Sequence, residues 1–240
     1  MPAPSISLRV LAGSRVLVGL TVVLLLATGC QTIGNANQVI GRADLVNDLA
    51  ARLDDSWELT YSAEYQLADG QTAMISQAHR PSRAAYTYPG GKVTVTAEAT
   101  TECDLTGPRP TCTLTIPPSP RHRPAAAIFT AANTRGMVTP AVVISLLTAA
   151  ALDTNADIQQ SDTTIAGRHA TCVKVSEIAN AAASSFDACI TTEGVLGSFN
   201  GVVNGTPANI VLSSYREDVD DSVFELPDDA GLIDQRPTAG

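Results

Sequence analysis

From Trp57 to Leu67 the chain alternates almost without fault between apolar and polar residues. Trp57, Leu59, Tyr61, Ala63, Tyr65 and Leu67 fall on one side, and Glu58, Thr60, Ser62, Glu64 and Gln66 on the other. A period of two sends successive side chains to opposite faces, so this stretch predicts a β-strand with one wet face and one buried face. Such a strand needs neighbours at its edges and cover on its apolar face. The neighbours follow at once. Asp69-Gly70 is a turn signal leading into a return strand over Thr72–His79, which Arg80-Pro81 ends. Ala84–Tyr88 reads as a third strand, Gly90-Gly91 as a turn into a fourth over Lys92–Ala99, and Thr111–Ile116 as the close of a hairpin that begins near Cys103. Later come Asp157–Ile165, His169–Ile178, Phe186–Thr192, Val195–Asn204 and Ala208–Tyr215, with Glu193-Gly194 and Asn204-Gly205 as turns.

Two helical patterns interrupt the strands. Val39, Ile40, Leu45, Val46, Leu49 and Leu53 recur near helical spacing and predict a helix over Gln38–Leu53. Thr139-Pro140 opens a second helix, running to Leu152, with Thr as cap and Pro in the first turn. Val142, Val143, Ile144, Leu146, Leu147 and Leu152 make that helix apolar nearly all round, so the fold or a ligand has to cover it on several sides. Between the two patterns, Ile116–Pro124 holds Pro117, Pro118, Pro120 and Pro124 and reads as a loop or crossing segment. Strand runs with two separated helices predict one α+β domain built on a large antiparallel sheet that curls round helices or round a cavity.

The N-terminus reads as an address. Arg9 and Arg15 precede the apolar run Val16–Leu26, which ends in Ala27-Thr28-Gly29-Cys30. A basic start, a short apolar run and a small-residue exit form a secretory signal, too short for the roughly 20 apolar residues of a membrane span. Small residues before a cysteine resemble a bacterial lipobox, although leucine is commoner where Ala27 stands. The resemblance implies cleavage after Gly29 and a diacylglyceryl group on Cys30. The expected organisation is a signal over residues 1–29, a lipidated tether over 30–37, one domain over 38–227 and a polar tail over 228–240. Cleavage removes two arginines and no acid, leaving 211 of 240 residues and taking the formal net charge from −9 to −11.

Four cysteines remain, Cys103, Cys112, Cys172 and Cys189, and four cysteines allow three pairings. Cys103 and Cys112 flank Thr106-Gly107-Pro108-Arg109-Pro110, a strong turn, while Cys172 and Cys189 lie in two β-like runs. Local pairing in two hairpins suits an exported protein. The competing reading, a four-thiolate zinc site, lacks any C-x₂-C spacing.

The acidic balance argues against nucleic acid, whose phosphates need a basic face. No nucleophile elbow, phosphate loop or dinucleotide fingerprint occurs, because Gly197-Ser198-Phe199-Asn200-Gly201 places its serine one residue early. Asp153-Thr-Asn155-Ala-Asp157 begins like a calcium loop but has Ile158 where glycine is needed and Thr164 where glutamate is needed. His79, His122 and His169 fall in no catalytic pattern. No enzyme activity, metal or cofactor is expected.

The element order resembles the periplasmic lipoprotein-carrier (LolA-like) superfamily, and more closely the cell-envelope lipoproteins of mycobacteria and relatives. The likeness rests on Tyr61-Ser-Ala-Glu-Tyr-Gln66 with the strand after it, on Ile165-Ala-Gly167 leading into Ala170-Thr171-Cys172-Val173, and on Phe224-Glu-Leu-Pro227. The arginine-rich composition, with Lys92 and Lys174 as its only lysines, suits a high-GC actinobacterium. The resemblance implies a half-open antiparallel β-barrel over two or more helices, with an apolar cavity for the acyl chains of a lipid. Trp57, Leu59, Tyr61 and Tyr65 on the strand, with Val143, Leu146 and Leu147 on the helix, are the candidate lining. The expected protein is a monomer anchored at the extracytoplasmic face of the cell membrane that binds or transfers a lipid or glycolipid. The alternative is an interaction lipoprotein with a filled core, docking another envelope protein through its acidic face and the Glu217–Asp221 loop.

Overall fold

The computed structural model describes residues 41–119 and 123–237. Cys30, the leader, the tether and His122 lie outside them. The residues from Asp44 onward form one unit. Helix α1 occupies residues 41–55. Val46, Leu49, Ala50 and Leu53, spaced as one helical stripe, are buried. There follow β1 (Tyr61–Leu67), β2 (Thr72–Ala78), β3 (Arg83–Tyr88), β4 (Gly91–Val95), β5 (Thr100–Asp104) and β6 (Thr111–Thr115). Helices α2 (Thr130–Thr134) and α3 (Pro140–Leu152) come next. The chain closes with β7 (Asp157–Ile165), β8 (Arg168–Ser176), β9 (Phe186–Thr191), β10 (Leu196–Val203), β11 (Thr206–Arg216) and β12 (Gly231–Asp234).

All twelve described strands join one sheet in the order β12-β6-β5-β4-β3-β2-β1-β11-β10-β9-β8-β7. The expected α+β class with a large sheet is therefore present. Two antiparallel meanders meet where β1 pairs with β11, Tyr65 opposite Leu212 and Leu67 opposite Ile210. The sheet is unclosed, with β12 and β7 at its edges. It curls enough that β7 touches β11, four places away in the order. One face carries Tyr61, Tyr65, Ile75, Tyr86, Val93, Val173, Ile190, Phe199 and Leu212, which form a continuous buried cluster with residues of α1 and α3. On the other face of β2 and β3, Ala78 and Ala85 are covered by Phe224, and the Arg83 guanidinium stacks 4.3 Å from that ring.

Local chemistry explains where strand and helix ends depart from the periodicity. The strand expected from Trp57 starts at Tyr61, because Ser56–Glu58 is a 3-10 turn. Ser56 Oγ donates to the Leu53 carbonyl at 2.7 Å and Leu59 N to the Ser56 carbonyl at 3.0 Å, so α1 runs on into this turn. The fourth strand ends at Val95 rather than Ala99. There Thr96 N donates to the Ala99 carbonyl, and Thr96 Oγ1 accepts from the N–H groups of Glu98 and Ala99, closing a tight turn. Thr139 caps α3 through its backbone, its carbonyl accepting from Val142 and Val143, while its buried hydroxyl makes no hydrogen bond. Those donors are thereby taken, and Pro140 has none to offer.

The 3-10 turn Ala126–Phe129 and α2 were not expected, and neither was β12 within the segment read as a polar tail. Strand β12 runs parallel to β6, Leu232 opposite Cys112. The remaining strand limits agree with the sequence reading within about three residues. Both local disulfides are present, Cys103–Cys112 and Cys172–Cys189, each joining directly opposed residues of adjacent antiparallel strands.

Gly194 ties α1 to the sheet. It turns β9 into β10 at φ +87°, and an added Cβ would sit 2.3 Å from the Arg52 carbonyl oxygen. Alanine there meets both a left-handed backbone and a backbone clash. Gly194→Ala should lower stability by about 2–3 kcal/mol, read as a reduced urea midpoint with unchanged slope. Gly70, whose Cβ position is open, should tolerate alanine at the smaller left-handed cost alone.

Candidate functional site: an apolar cleft at Trp57

The seven candidate lining residues divide sharply. Tyr61, Tyr65, Val143, Leu146 and Leu147 are at most 1% exposed and belong to the same buried cluster. Tyr65 is fixed there by its hydroxyl, which donates to the Leu196 carbonyl at 2.9 Å. Tyr61 stacks on Tyr215 with centroids 5.7 Å apart. Leu59 is partly buried against this cluster. The first five side chains are packed into the core, and Leu59 sits at its margin. Trp57 is likewise only partly buried, because the 3-10 turn takes it out of the strand, and it alone of the seven lines open clefts.

Trp57 is a shared wall of two clefts. The first, about 220 Å³, is lined by Trp57, Val95, Ala97, Pro117 and Pro118 with Ser82, Thr96 and Ser119. It is mainly apolar. The second is a pocket of only about 30 Å³ between the end of α1, the start of α3 and β2–β3. Leu53, Trp57, Tyr86, Pro140, Ala141 and Ile144 form its apolar walls, and Ser56, Gln77, Asp54 and Arg123 its polar ones. Arg123 lies 5.6 Å over the Trp57 ring and pairs with Asp54 at 3.1 Å and Glu58 at 3.5 Å. Gln77 Nε2 donates to the Ser56 carbonyl at 2.6 Å and so braces the turn that carries Trp57.

Two larger clefts, about 460 and 520 Å³, share Gly90, Thr134 and Arg135. Asp69, Gln71 and Asn209 line one, and Glu102, Asp104, Thr111 and Thr113 the other. Their polar walls suit water better than hydrocarbon, so size and chemistry point to different places. For an apolar ligand the chemistry decides, because affinity scales with apolar area removed from water.

The proline-rich segment was visible in the sequence, but only the fold brings Pro117 and Pro118 to Trp57. Tyr86 was missed as a site residue. Its signal was present, since it alternates with Ala84 and Tyr88 in β3 and sits opposite Ile75. The loop Glu217–Asp221 is exposed, with some of its charges matched by nearby cations. Asp221 pairs with Arg83, Glu217 lies 3.9 Å from Arg168, and Asp220 Oδ1 accepts from Ser222 N. The Asp153 turn ends α3, its carboxylate accepting from the N–H groups of Asn155 and Ala179. Among the described residues no group of three or more His, Cys, Asp or Glu is placed to hold a metal, and no helix is long and apolar enough to cross a membrane.

Burial raises the pKa of Tyr61, Tyr65 and Tyr86 well above the usual value of 10, pushes Tyr88 up to about 12, and raises half-exposed Tyr215. A raised folded-state pKa means that stability is complete below pH 10 and falls as pH climbs above it, where the unfolded chain releases protons first. Tyrosinate absorbance should therefore stay low through pH 10. Above about pH 12 it should rise together with loss of circular dichroism, since three of the five tyrosines ionise only on unfolding.

No family model matches the sequence, and no curated protein matches it. Among solved structures the chain is similar to an uncharacterized conserved protein from Thermus thermophilus, with 9% identity, 79% of this chain and 98% of that one covered, and a TM-score of 0.45. It is also similar to MucB in complex with MucA(peri), with 8% identity, 78% and 61% covered and a TM-score of 0.39. A DUF1329 family protein from Desulfovibrio piger gives 10% identity, 77% and 97% covered and a TM-score of 0.29. At such identities the likeness concerns the arrangement of the chain alone.

Proposed function

We propose that this chain is an exported lipoprotein, anchored through Cys30, that holds an acyl chain of a lipid against Trp57 and does no covalent chemistry. The observation that carries the reading is the 220 Å³ apolar cleft at the rim of the sheet, walled by Trp57, Val95, Ala97, Pro117 and Pro118. Its volume is below the roughly 300–1,000 Å³ of pockets that enclose a whole drug-sized ligand. It therefore suits part of a chain, with the rest of the lipid outside. Burial of apolar surface at about 25 cal/mol per Å² supplies the affinity without any catalytic group. The lipobox-like Ala27–Cys30 supports the anchor and, with it, an extracytoplasmic place at the membrane.

Native mass spectrometry of the protein isolated from its own envelope tests both parts. The expected species begins at Cys30, carries a covalent diacylglyceryl group, and releases a non-covalent acyl lipid on unfolding. A chain free of any releasable lipid would contradict the binding reading, and an unmodified Cys30 would contradict the anchor.

A second reading has one observation in its favour. Tyr61, Tyr65, Leu146 and Leu147 are buried in one cluster, as in a protein that docks a partner and encloses nothing. Capture of an envelope protein that is lost on mutating the surface, with no lipid bound at Trp57, would favour it.

A further inference from the structure

The small pocket behind Trp57 is bordered by hydrogen-bonding groups that have no partner among the described residues. Tyr86 lines it and is 3% exposed. Its ring packs edge-on against Phe129 at 4.5 Å, and no described residue accepts from or donates to its hydroxyl. That hydroxyl is not one of the fully buried polar atoms left without a partner, so it opens onto the pocket, where a ligand can accept from it. Ala141 lines the same pocket at the start of α3, a helix of 13 residues. Among the described residues no backbone group outside the helix accepts from its N–H, one of the donors that a helix start leaves over. Two hydrogen-bond donors thus border a space of about 30 Å³, the size of one oxygen-bearing group and too small for a chain. Trp57 lines both this space and the apolar cleft that suits the hydrocarbon.

The charges around the pocket select among acceptors. Asp54 and Glu58 share Arg123, and Glu58 also lies 3.1 Å from His79 Nδ1, so two carboxylates already stand beside the pocket and a further one would be repelled. A neutral acceptor meets no such penalty. We infer that the pocket behind Trp57 takes the ester carbonyl of an acyl lipid, held by the Tyr86 hydroxyl and the Ala141 N–H, with the acyl chain lying in the Trp57–Pro117–Pro118 cleft. This rests on the acyl-binding reading above and names the lipid class within it. Tyr86 stays protonated at physiological pH because burial holds its pKa high, so it remains a donor.

The test measures affinities of methyl laurate, laurate and n-dodecane for the folded wild type and for Tyr86→Phe, with thermal stability as the control. Tyr86→Phe keeps the ring and removes the hydroxyl, so its stability should equal or exceed that of the wild type. Methyl laurate should bind Tyr86→Phe about five-fold more weakly, the loss of one neutral hydrogen bond, while n-dodecane should bind both proteins alike. Laurate should bind the wild type more weakly than its methyl ester. Equal methyl laurate affinity in the two proteins would overturn the carbonyl site while leaving the acyl cleft standing. A wild type that prefers laurate to methyl laurate would overturn the ester assignment. If none of the three ligands binds the wild type, the acyl reading itself fails and the carbonyl site with it.

Discussion

Leu147→Asp should abolish the folded state, whereas Leu152→Asp on the same helix should leave stability within about 0.5 kcal/mol of the parent. Leu147 is 0% exposed and Leu152 is 80% exposed. Truncating a buried leucine costs about 2–5 kcal/mol in a close-packed core. An unpaired buried carboxylate adds several more, or forces its own protonation. The sum reaches the whole stability of a typical domain, about 5–15 kcal/mol. Circular dichroism and a urea titration of the two variants would check it. A well-folded Leu147→Asp protein would mean that the space between α3 and the sheet is looser than the packing of Tyr61, Tyr65 and Leu146 indicates. It would also reopen that space as a ligand cavity.

The second large effect concerns the two disulfides. Cys103–Cys112 closes a separation of 9 residues and Cys172–Cys189 one of 17. In the chain-entropy picture they restrict the unfolded state by about 2.5 and 3 kcal/mol respectively. Together they amount to a large share of a domain's net stability. Replacing all four cysteines by alanine should therefore shift the guanidinium midpoint strongly downward. The longer loop should account for slightly more than half of the shift in the two pairwise variants. An unchanged midpoint would show that the strand registers alone hold the two hairpins, without help from the bridges.

Much of this fold could be read from the residues because its signals are local. Alternation in Tyr61–Leu67, glycine turns after Leu67 and Tyr88, and the proline that opens α3 each act within a few residues. The disulfide pairs were legible for the same reason, since each bridges opposed positions of one hairpin. What escaped depends on distant partners. Strand β12 is four residues long, and it exists because Gly231–Asp234 finds the open edge of β6, far earlier in the chain. Helix α2 lies in an alanine-rich stretch without a clear stripe. The site was only half legible. Trp57 stood out as an aromatic at the head of an alternating run. That same run placed it among core residues, because periodicity does not reveal that Ser56 and Gln77 hold it in a turn. Tyr86 was hidden by the opposite effect, since a tyrosine on a strand looks alike whether or not its hydroxyl finds a partner.

Trp57 is the chain's one tryptophan, so its emission reports on the two clefts that it lines. A methyl ester of a fatty acid brominated along its chain quenches an indole that it touches. Titrated into the folded protein below its aggregation limit, it should extinguish Trp57 emission saturably, and the unbrominated ester should restore the emission by displacing it. Emission that stays unchanged throughout the titration, from a protein still fully folded, would contradict an acyl site at Trp57.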